Sequence, residues 1–192
     1  PDQLDADPWL LAVANGTLDL RTGALRGHRR DDLITKLVPT VYDPAAACPT
    51  WHAFLGRVMG GNANLTGFLQ RAVGYSLTGS TAEQVLFLLY GNGANGKSTF
   101  LETLRHLLGD YAQQTPAETL LDRRENAIPS DVARLRGARF VTATETEESR
   151  RLGEALVKQL TGGDTISARF MRAEWFEFTP VCKVWLATTH RP

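Results

Sequence analysis

The chain has 192 residues, 43% of them hydrophobic, and its 21 basic and 21 acidic side chains give a formal net charge of zero. This apolar fraction is enough for the core of one large or two small domains. A zero net charge excludes a protein that coats nucleic acid through a strongly basic surface, so any contact with nucleic acid must be local. No apolar stretch approaches the ~20 residues of a transmembrane helix.

The first residues predict a small β structure. Residues 9–14 are an apolar strand candidate, Asn15-Gly16 is a hairpin turn signal, and residues 17–21 alternate as a second strand does. A basic cluster and two acids follow: Arg26, His28, Arg29 and Arg30, then Asp31 and Asp32. Two interpretations of this segment stay open, a solvated loop whose charges compensate each other and a loop that contacts phosphate.

Two amphipathic helices come next. Apolar side chains recur at helical spacing over residues 49–59 and 65–77, and the first of these segments begins with a proline. A Gly-Ser-Thr turn follows at 79–81. We place a domain boundary there, between an accessory N-terminal α+β domain at residues 1–80 and a second domain at residues 81–192.

The second domain opens with an apolar strand, a glycine-rich turn and a helix start, without a gap. Residues 85–90 are apolar, residues 91–98 fit the pattern G-x-x-x-x-G-K-[ST], and residues 100–108 have helical spacing up to Gly109. This order predicts a phosphate-binding loop. Its predicted nucleotide-binding residues are Gly91, Asn92, Gly93, Ala94, Asn95, Gly96, Lys97, Ser98 and Thr99.

The residue types of this loop suit a nucleoside triphosphate. Glycines let backbone N–H groups turn inward, and the positive end of the following helix adds to the attraction for an anion. Lys97 would reach the β- and γ-phosphates, and the Ser98 hydroxyl would bind Mg²⁺. The alternative is a Gly/Asn-rich turn in which Lys97 is merely solvated.

Strand-like and helical segments alternate in the rest of the chain, which predicts an α/β fold around a largely parallel sheet. The predicted elements are a strand at 110–114, one or two helical turns at 116–121, a polar loop at 123–126, a helix from Ser130 to Arg136 ended by Gly137, a strand at 139–144, a helix at 152–160, and strands at 166–170, 175–178 and 183–188.

Hydrolysis would need an acid at the end of a neighbouring strand, to hold Mg²⁺ or to activate water. Glu145 directly follows the strand at 139–144 and is the predicted acid. Glu145 and the acids after it, Glu147 and Glu148, could instead simply begin the next helix, where negative charge is favourable. Thr189 follows the last strand, and its hydroxyl could sense the γ-phosphate or could simply end the strand.

Six blocks in one order resemble the superfamily 3 helicases, in the branch of phage and plasmid primase–helicases related to the poxvirus primase–helicase. The blocks are NGTLDL at 15–20, LQRAVGYSLTG at 69–79, GNGANGKSTF at 91–100, TETE at 144–147, KQLTGGD at 158–164 and LATTHRP at 186–192. The glycine motif alone is shared by many NTPases, whereas the block at 158–164 is much more specific to this superfamily.

The resemblance implies a P-loop NTPase domain of AAA+ type that assembles as a ring, with a hexamer as the expected size. It implies ATP and Mg²⁺ as cofactors, single-stranded or forked DNA as the partner, no membrane, and the cytoplasm of a bacterial cell that carries a phage, plasmid or mobile element. Glu145 would be the acid of the second nucleotide motif. A hairpin through 166–178 would contact DNA, with Lys158, Arg169 and Arg172 as candidate DNA-binding residues.

Two features depart from the family. Thr189 stands where the family usually has an asparagine before the histidine, and the arginine finger of the family would lie beyond Pro192. A primase module would lie before Pro1; the chain lacks an initial Met, so we expect an excised piece of a longer protein. We expect the core of an ATP-hydrolysing helicase. The alternatives are a non-hydrolysing, nucleotide-dependent assembly or DNA-binding module and a small-molecule kinase.

Overall fold

The computed structural model describes residues 3–121, 130–145 and 151–189, and of Glu145 only the backbone. The predicted loop at 123–126 and the side chains of Glu147, Glu148 and His190 therefore lie outside the described residues. The described strands are β1 (Leu10–Val13), β2 (Gly16–Asp19), β3 (Ala24–Arg26), β4 (Leu86–Tyr90), β5 (Ala112–Gln114), β6 (Phe140–Glu145), β7 (Ile166–Ala168), β8 (Phe176–Phe178) and β9 (Lys183–Thr188). The described α-helices are α1 (Pro49–Val58), α2 (Ala63–Leu77), α3 (Lys97–Leu108), α4 (Ser130–Ala133) and α5 (Glu154–Gly162).

The predicted N-terminal hairpin is present as part of an antiparallel β1–β2–β3 meander, but its turn is shifted by one residue. Val13 pairs with Gly16, so Ala14 and Asn15 form the turn and Gly16 already begins β2. The reason is a close approach between strands. A Cβ on Gly16, whose φ is +157°, would lie 2.2 Å from the Arg26 carbonyl oxygen.

A four-stranded parallel sheet in the order β4-β9-β6-β5 forms the centre of the second half. The last strand in sequence therefore lies inside the sheet, and all of its residues are buried. The chain is thus of the mixed α/β class that the alternating pattern predicts.

Several predicted elements are shorter than expected. A 3₁₀ turn (Gly109–Tyr111) replaces the start of the predicted strand at 110–114. The helix that begins at Ser130 already ends at Ala133. Turns follow it up to Gly137, in which backbone N–H groups donate to carbonyl oxygens three residues earlier. The predicted strand at 166–170 ends at Ala168, where the tip of a hairpin begins.

Each face of the sheet has its own apolar core, because side chains alternate along β9. Trp185 and Ala187 pack with α1, α2, α3 and the meander. Val184 and Leu186 pack on the other face with α4, α5 and the β7–β8 hairpin. The first core joins residues from both sides of residue 80, so the predicted accessory region packs directly on the sheet; the domain boundary itself stays a prediction.

Two buried cations fix the amino-terminal ends of β6 and β9 to the end of α2. The Arg139 guanidinium donates to the carbonyl oxygens of Asp7 at 3.2 Å, Leu10 at 2.9 Å and Leu77 at 2.8 Å. Burial lowers the pKa of Arg139, and its planar group also lies 4.9 Å over the ring of Tyr111. Carbonyl oxygens at the end of a helix carry partial negative charge, which partly offsets the burial of this cation.

Lys183 makes the second of these contacts. Its ammonium donates to the carbonyl oxygens of Thr78, of Ser80 at 3.1 Å and of Val181 at 3.0 Å, and lies 5.0 Å over the ring of Tyr75. The carbonyl oxygens favour the charged form, but the loss of water outweighs them and burial lowers the pKa of Lys183 to about 7. The segment after α2 is thus held against the first residue of β9.

Among the described residues, no helix is both long and apolar enough to cross a lipid bilayer.

The pKa of Lys183 predicts a pH-dependent stability. In the unfolded chain the Lys183 side chain stays protonated up to about pH 10. In the folded chain it loses its proton above about pH 7. The free energy of unfolding should therefore rise by about 1.5 kcal/mol between pH 7 and 8.5, measured by urea titration. Burial raises the pKa of the Cys182 thiol to about 11, which has the opposite effect above pH 8.5.

The control for this experiment is the exposed Lys158. Lys158→Met should keep the rise of the wild type, and Lys183→Met should remove it. A wild-type stability that is flat or falling between pH 7 and 8.5 would contradict a depressed pKa at Lys183.

Candidate functional site

The carboxyl ends of three parallel strands lie level with one another at one edge of the sheet. Tyr90 of β4 pairs with Thr188 of β9, and Thr188 pairs with Glu145 of β6. Tyr90 and Glu145 are therefore two strand spacings apart, about 10 Å. The glycine loop (residues 91–99) follows β4 and Thr189 follows β9, so the structure brings all three predicted parts of the site to the same edge. Open parallel sheets bind ligands at such an edge.

The glycine loop has a backbone that requires small residues. Gly91 and Gly96 have φ values of +151° and +90°, which only glycine adopts at low energy, and Ala94 lies in the left-handed region at +59°. The Gly91 amide donates to the carbonyl oxygen of Thr188 at 3.3 Å, which ties the loop to β9. A Cβ on Gly91 would lie 2.3 Å from the side-chain nitrogen of Asn95, so the loop folds over this glycine.

Lys97 is held by the loop that it follows. Its ammonium donates to the carbonyl oxygens of Gly91 and of Asn92 at 3.1 Å, and to Oδ1 of Asn95 at 3.0 Å. These three acceptors are neutral. An anion in the loop would carry a full negative charge and would therefore compete with them for the ammonium.

The donor set of the loop fits a phosphate group. Lys97, Ser98 and Thr99 form the first turn of α3, and the N–H groups of a first turn have no acceptor within the helix. The helix dipole and the nearby ammonium make the same region attractive to anions. Ser98 and Thr99 are exposed, whereas Phe100 is buried and fixes the start of the helix.

Helix α1, in the predicted accessory region, packs against the back of this loop. A Cβ on Gly96 would lie 2.7 Å from Cγ1 of Val58 and 3.2 Å from Cε2 of Phe54, both on α1. Sequence reasoning missed this contact. The apolar stripe of α1 predicts that one face of the helix is buried, but it does not show which element covers that face.

Metal ligands are few in the described part of the chain. There, no group of three or more His, Cys, Asp or Glu side chains lies close enough together to hold a metal ion. The predicted Mg²⁺ ligands are Ser98, which is exposed at the start of α3, and Glu145, whose backbone ends β6. Such a sparse set suits Mg²⁺, which commonly takes one or two protein ligands together with water and phosphate oxygens.

The predicted hairpin is formed by β7 and β8, and its tip (residues 169–175) is exposed. The Arg169 guanidinium lies 4.8 Å over the ring of Trp175, and Trp175 is 56% exposed. Arg172 is at the turn with a φ of +61°, next to Met171, which is 81% exposed. The structure thus brings two of the predicted DNA-binding residues to one hairpin tip. It also shows an exposed ring beside Arg169, that of Trp175, which sequence reasoning passed over as an ordinary strand residue.

The third predicted DNA-binding residue lies on another element. Lys158 is on α5, where its ammonium is 3.4 Å from the carboxylate of Glu154 one turn earlier. Both side chains are largely exposed, so this ion pair contributes little stability and does not prevent other contacts.

The contacts of the early basic cluster favour a solvated loop whose charges compensate each other over a loop that contacts phosphate. Arg26 makes a two-fold contact with Asp32, at 2.8 Å and 2.6 Å. The hydrogen bond from Arg26 lowers the pKa of Asp32. This arginine is therefore compensated within the segment, as expected for a self-neutralising loop.

Comparison with known families assigns the two ends of the chain. Residues 1–60 match the family described as "D5 N terminal like", and residues 89–192 match the one described as "Family of unknown function (DUF5906)". The second match takes in more than half of the chain. The chain therefore belongs to this family of unknown function.

Curated relatives come from large viruses. A protein named "Putative helicase" from Acanthamoeba polyphaga mimivirus is 27% identical over 195 residues, 98% of this chain and 20% of the relative. Another "Putative helicase", from Invertebrate iridescent virus 3, is 25% identical over 95% of this chain and 20% of the relative. A "Putative primase" from African swine fever virus is 27% identical over 92% of this chain and 19% of the relative. The chain spans about a fifth of each of these proteins, and the expected bacterial host stays a prediction.

Solved structures support the fold. Two apo structures of the NrS-1 C-terminal region align with TM-scores of 0.63 and 0.61, each at 13% identity. The first alignment covers 79% of this chain and 36% of that chain. At this identity the likeness shows a shared fold of the mixed α/β class.

The contact between the glycine loop and α1 predicts the effect of a small substitution. Gly96→Ala should lower the free energy of unfolding by about 2 kcal/mol or more, because the new methyl group meets α1 and the backbone strains. Gly93→Ala is the matched control, since a Cβ there meets nothing within 4 Å and its φ is negative. Urea titration of both variants measures the difference.

Adding Val58→Ala identifies the cause. It should destabilise the Gly96→Ala variant less than it destabilises the wild type, because it removes the methyl group that the new Cβ meets. Equal stability losses in Gly96→Ala and Gly93→Ala would show that α1 does not press on the loop.

Proposed function

We propose that this chain is the ATPase core of a DNA helicase, within a replication protein of the primase–helicase type. The alignment of three strand ends carries the proposal, since it brings the glycine loop, Thr189 and Glu145 to one edge of a parallel sheet. The names of the viral relatives, helicase and primase, support the same class. The P-loop and AAA+ assignments belong to this proposal.

In this proposal the glycine loop binds the phosphates of ATP. The first-turn amides of α3 and the Lys97 ammonium contact the β- and γ-phosphates, and the ammonium leaves the three neutral oxygens that now hold it. Because α1 packs behind the loop and β9 is bonded beside it, the backbone donors need little rearrangement to bind.

Residues from the neighbouring strands act on the reacting end. Glu145 orients water or holds Mg²⁺ together with the Ser98 hydroxyl, and Thr189 can donate a hydrogen bond to the γ-phosphate or to water. A bound Mg²⁺ would supply charge neutralisation at the phosphate oxygens. The strand order supports these roles, since the loop after β4 and Glu145 of β6 lie on either side of β9.

The ring is the quaternary part of the proposal. A chain with no net charge cannot hold DNA through its whole surface, so repeated small contacts from several copies are a physically reasonable solution. By resemblance, an arginine of a neighbouring copy would complete each nucleotide site, and six copies is the expected number.

The hairpin tip is the proposed DNA contact. Arg169 and Arg172 can each neutralise a phosphate, and the exposed ring of Trp175 offers a face on which a base can stack. Stacking on an aromatic ring does not depend on sequence, which suits a protein that moves along DNA.

The nucleotide site predicts the effect of two substitutions on the full-length protein. Lys97→Ala should reduce ATP turnover by about a hundredfold or more, because it removes the cation at the phosphates. Glu145→Gln should lose turnover to a similar extent but keep ATP affinity. Phosphate release and equilibrium binding measure the two quantities.

Lys36→Ala is the control, since Lys36 donates to the Asp110 carbonyl oxygen away from the loop and should keep wild-type turnover. Unchanged turnover in Lys97→Ala would refute the loop assignment. ATP binding without phosphate release in the wild type would support the non-hydrolysing module instead.

The hairpin predicts two distinguishable effects on binding to single-stranded DNA. The log of the affinity falls as the log of the salt concentration rises. Arg172→Ala should make this slope less steep by about 0.7 for each phosphate that the arginine neutralises in the wild type. Trp175→Ala should weaken binding by about 1–3 kcal/mol for each stacked base. Fluorescence anisotropy over a range of salt concentrations measures both.

Arg21→Ala is the matched control, because Arg21 lies over Trp9 in the same way, at 5.4 Å, but on the meander. Its affinity and salt slope should equal those of the wild type. Hairpin variants that bind like Arg21→Ala would remove the hairpin from the DNA interface.

A further inference from the structure

A groove of about 820 Å³ lies between α1 and the first half of α3. The side chains that matter here are Cys48, Trp51, Phe54, Arg57, Thr99 and Thr103. Its volume is in the range of small-molecule sites, about 300–1,000 Å³. The groove includes Thr99, the last residue of the glycine loop, and therefore begins where the proposed phosphate site ends.

The position of the groove matches the nucleoside end of a bound triphosphate. Lys97, Ser98 and the strand ends at the edge of the sheet define the side of the β- and γ-phosphates. An α-phosphate and nucleoside that run past Thr99 would enter this groove. Thr103 lies one turn further and donates its hydroxyl hydrogen to the Thr99 carbonyl oxygen at 2.7 Å, so the two residues share one face of the helix.

The chemistry of the groove suits a flat aromatic ring. Trp51 stacks on Phe54 with 5.3 Å between ring centres and on Phe100 with 5.6 Å, so the aromatic wall is held by the core. Arg57 is exposed and can donate hydrogen bonds to ring nitrogen or oxygen atoms, and the exposed Thr103 hydroxyl, whose hydrogen goes to Thr99, can accept one from an amino group. An apolar wall with a few polar groups is typical of small-molecule sites.

We propose that this groove binds the base of the nucleoside triphosphate, and that α1 is therefore part of the nucleotide site. The proposal rests on the proposed function, since it needs a triphosphate in the glycine loop. It gives the accessory region a role beyond packing: α1 contacts the back of the loop through Val58 and the base through Trp51. Loss of the nucleotide would then remove a contact from α1.

A bulky residue in the groove tests this without altering the loop. In the full-length protein, Thr103→Trp should weaken ATP and ADP binding by about tenfold or more, because it fills the space of the base. Its affinity for inorganic tripolyphosphate, which lacks a base, should stay within about twofold. Glu102→Trp is the matched control: Glu102 is the exposed neighbour on α3, outside the groove, and its variant should bind all three ligands as the wild type does.

Alkylation of Cys48 gives a second measurement on the unmodified protein. Cys48 is exposed and lines the groove, whereas Cys182 is buried and serves as an internal reference. Saturating ATP should slow the alkylation of Cys48 by about fivefold or more, measured by peptide mass spectrometry, and saturating tripolyphosphate should not.

The two ligands separate the two possible failures. If tripolyphosphate binds, but Thr103→Trp leaves ATP affinity unchanged and ATP leaves Cys48 reactive, the base lies elsewhere and the groove proposal is wrong. If neither ATP nor tripolyphosphate binds the wild type, the proposed nucleotide site itself is wrong.

Discussion

The hydrogen bonding of β9 on both of its edges is the constraint on which the rest of the structure depends. This strand joins β4 to β6, and its side chains supply both apolar cores. Trp185 is its central residue: the indole stacks on Phe87 with 4.3 Å between ring centres and donates to the Ser76 hydroxyl at 3.0 Å. One side chain thus links the sheet to α2, so the strand cannot slip in register without breaking aromatic packing and a buried hydrogen bond.

The two ends of this sheet have opposite roles. At the amino-terminal end, the buried Arg139 side chain holds the last residue of α2, and the buried Lys183 side chain holds the segment after α2, both through carbonyl oxygens. Since removing the acceptors would leave charge buried without compensation, this end is expected to be rigid. At the carboxyl end the backbone opens into the glycine loop, where side chains are exposed and able to reach a ligand. Rigid attachment at one end and access at the other are what a phosphate-binding edge requires.

Much of this could be predicted from local sequence. The glycine motif, the apolar strands and the two stripes of the accessory helices all gave elements close to those observed, because each depends on neighbours within a few residues. The order of the strands, the packing of α1 on Gly96 and the burial of Arg139 and Lys183 could not, since they depend on pairings more than 30 residues apart. Single charged residues usually indicate surface, and here tertiary contacts override that pattern. Trp175 was missed for the same reason, because strand alternation alone does not show which aromatic side chain stays in water.

Hydrogen exchange with and without Mg²⁺ and a slowly hydrolysed ATP analogue tests most directly whether the carboxyl edge of the sheet is the nucleotide site. Added nucleotide should slow exchange in the glycine loop, at Glu145 and at Thr189, and leave the segment at residues 78–80 unchanged, because that segment lies at the other end of the sheet. Slower exchange in the glycine loop alone would separate it from the two strand ends. No change in the loop, or protection confined to the amino-terminal end of the sheet, would contradict the proposed site.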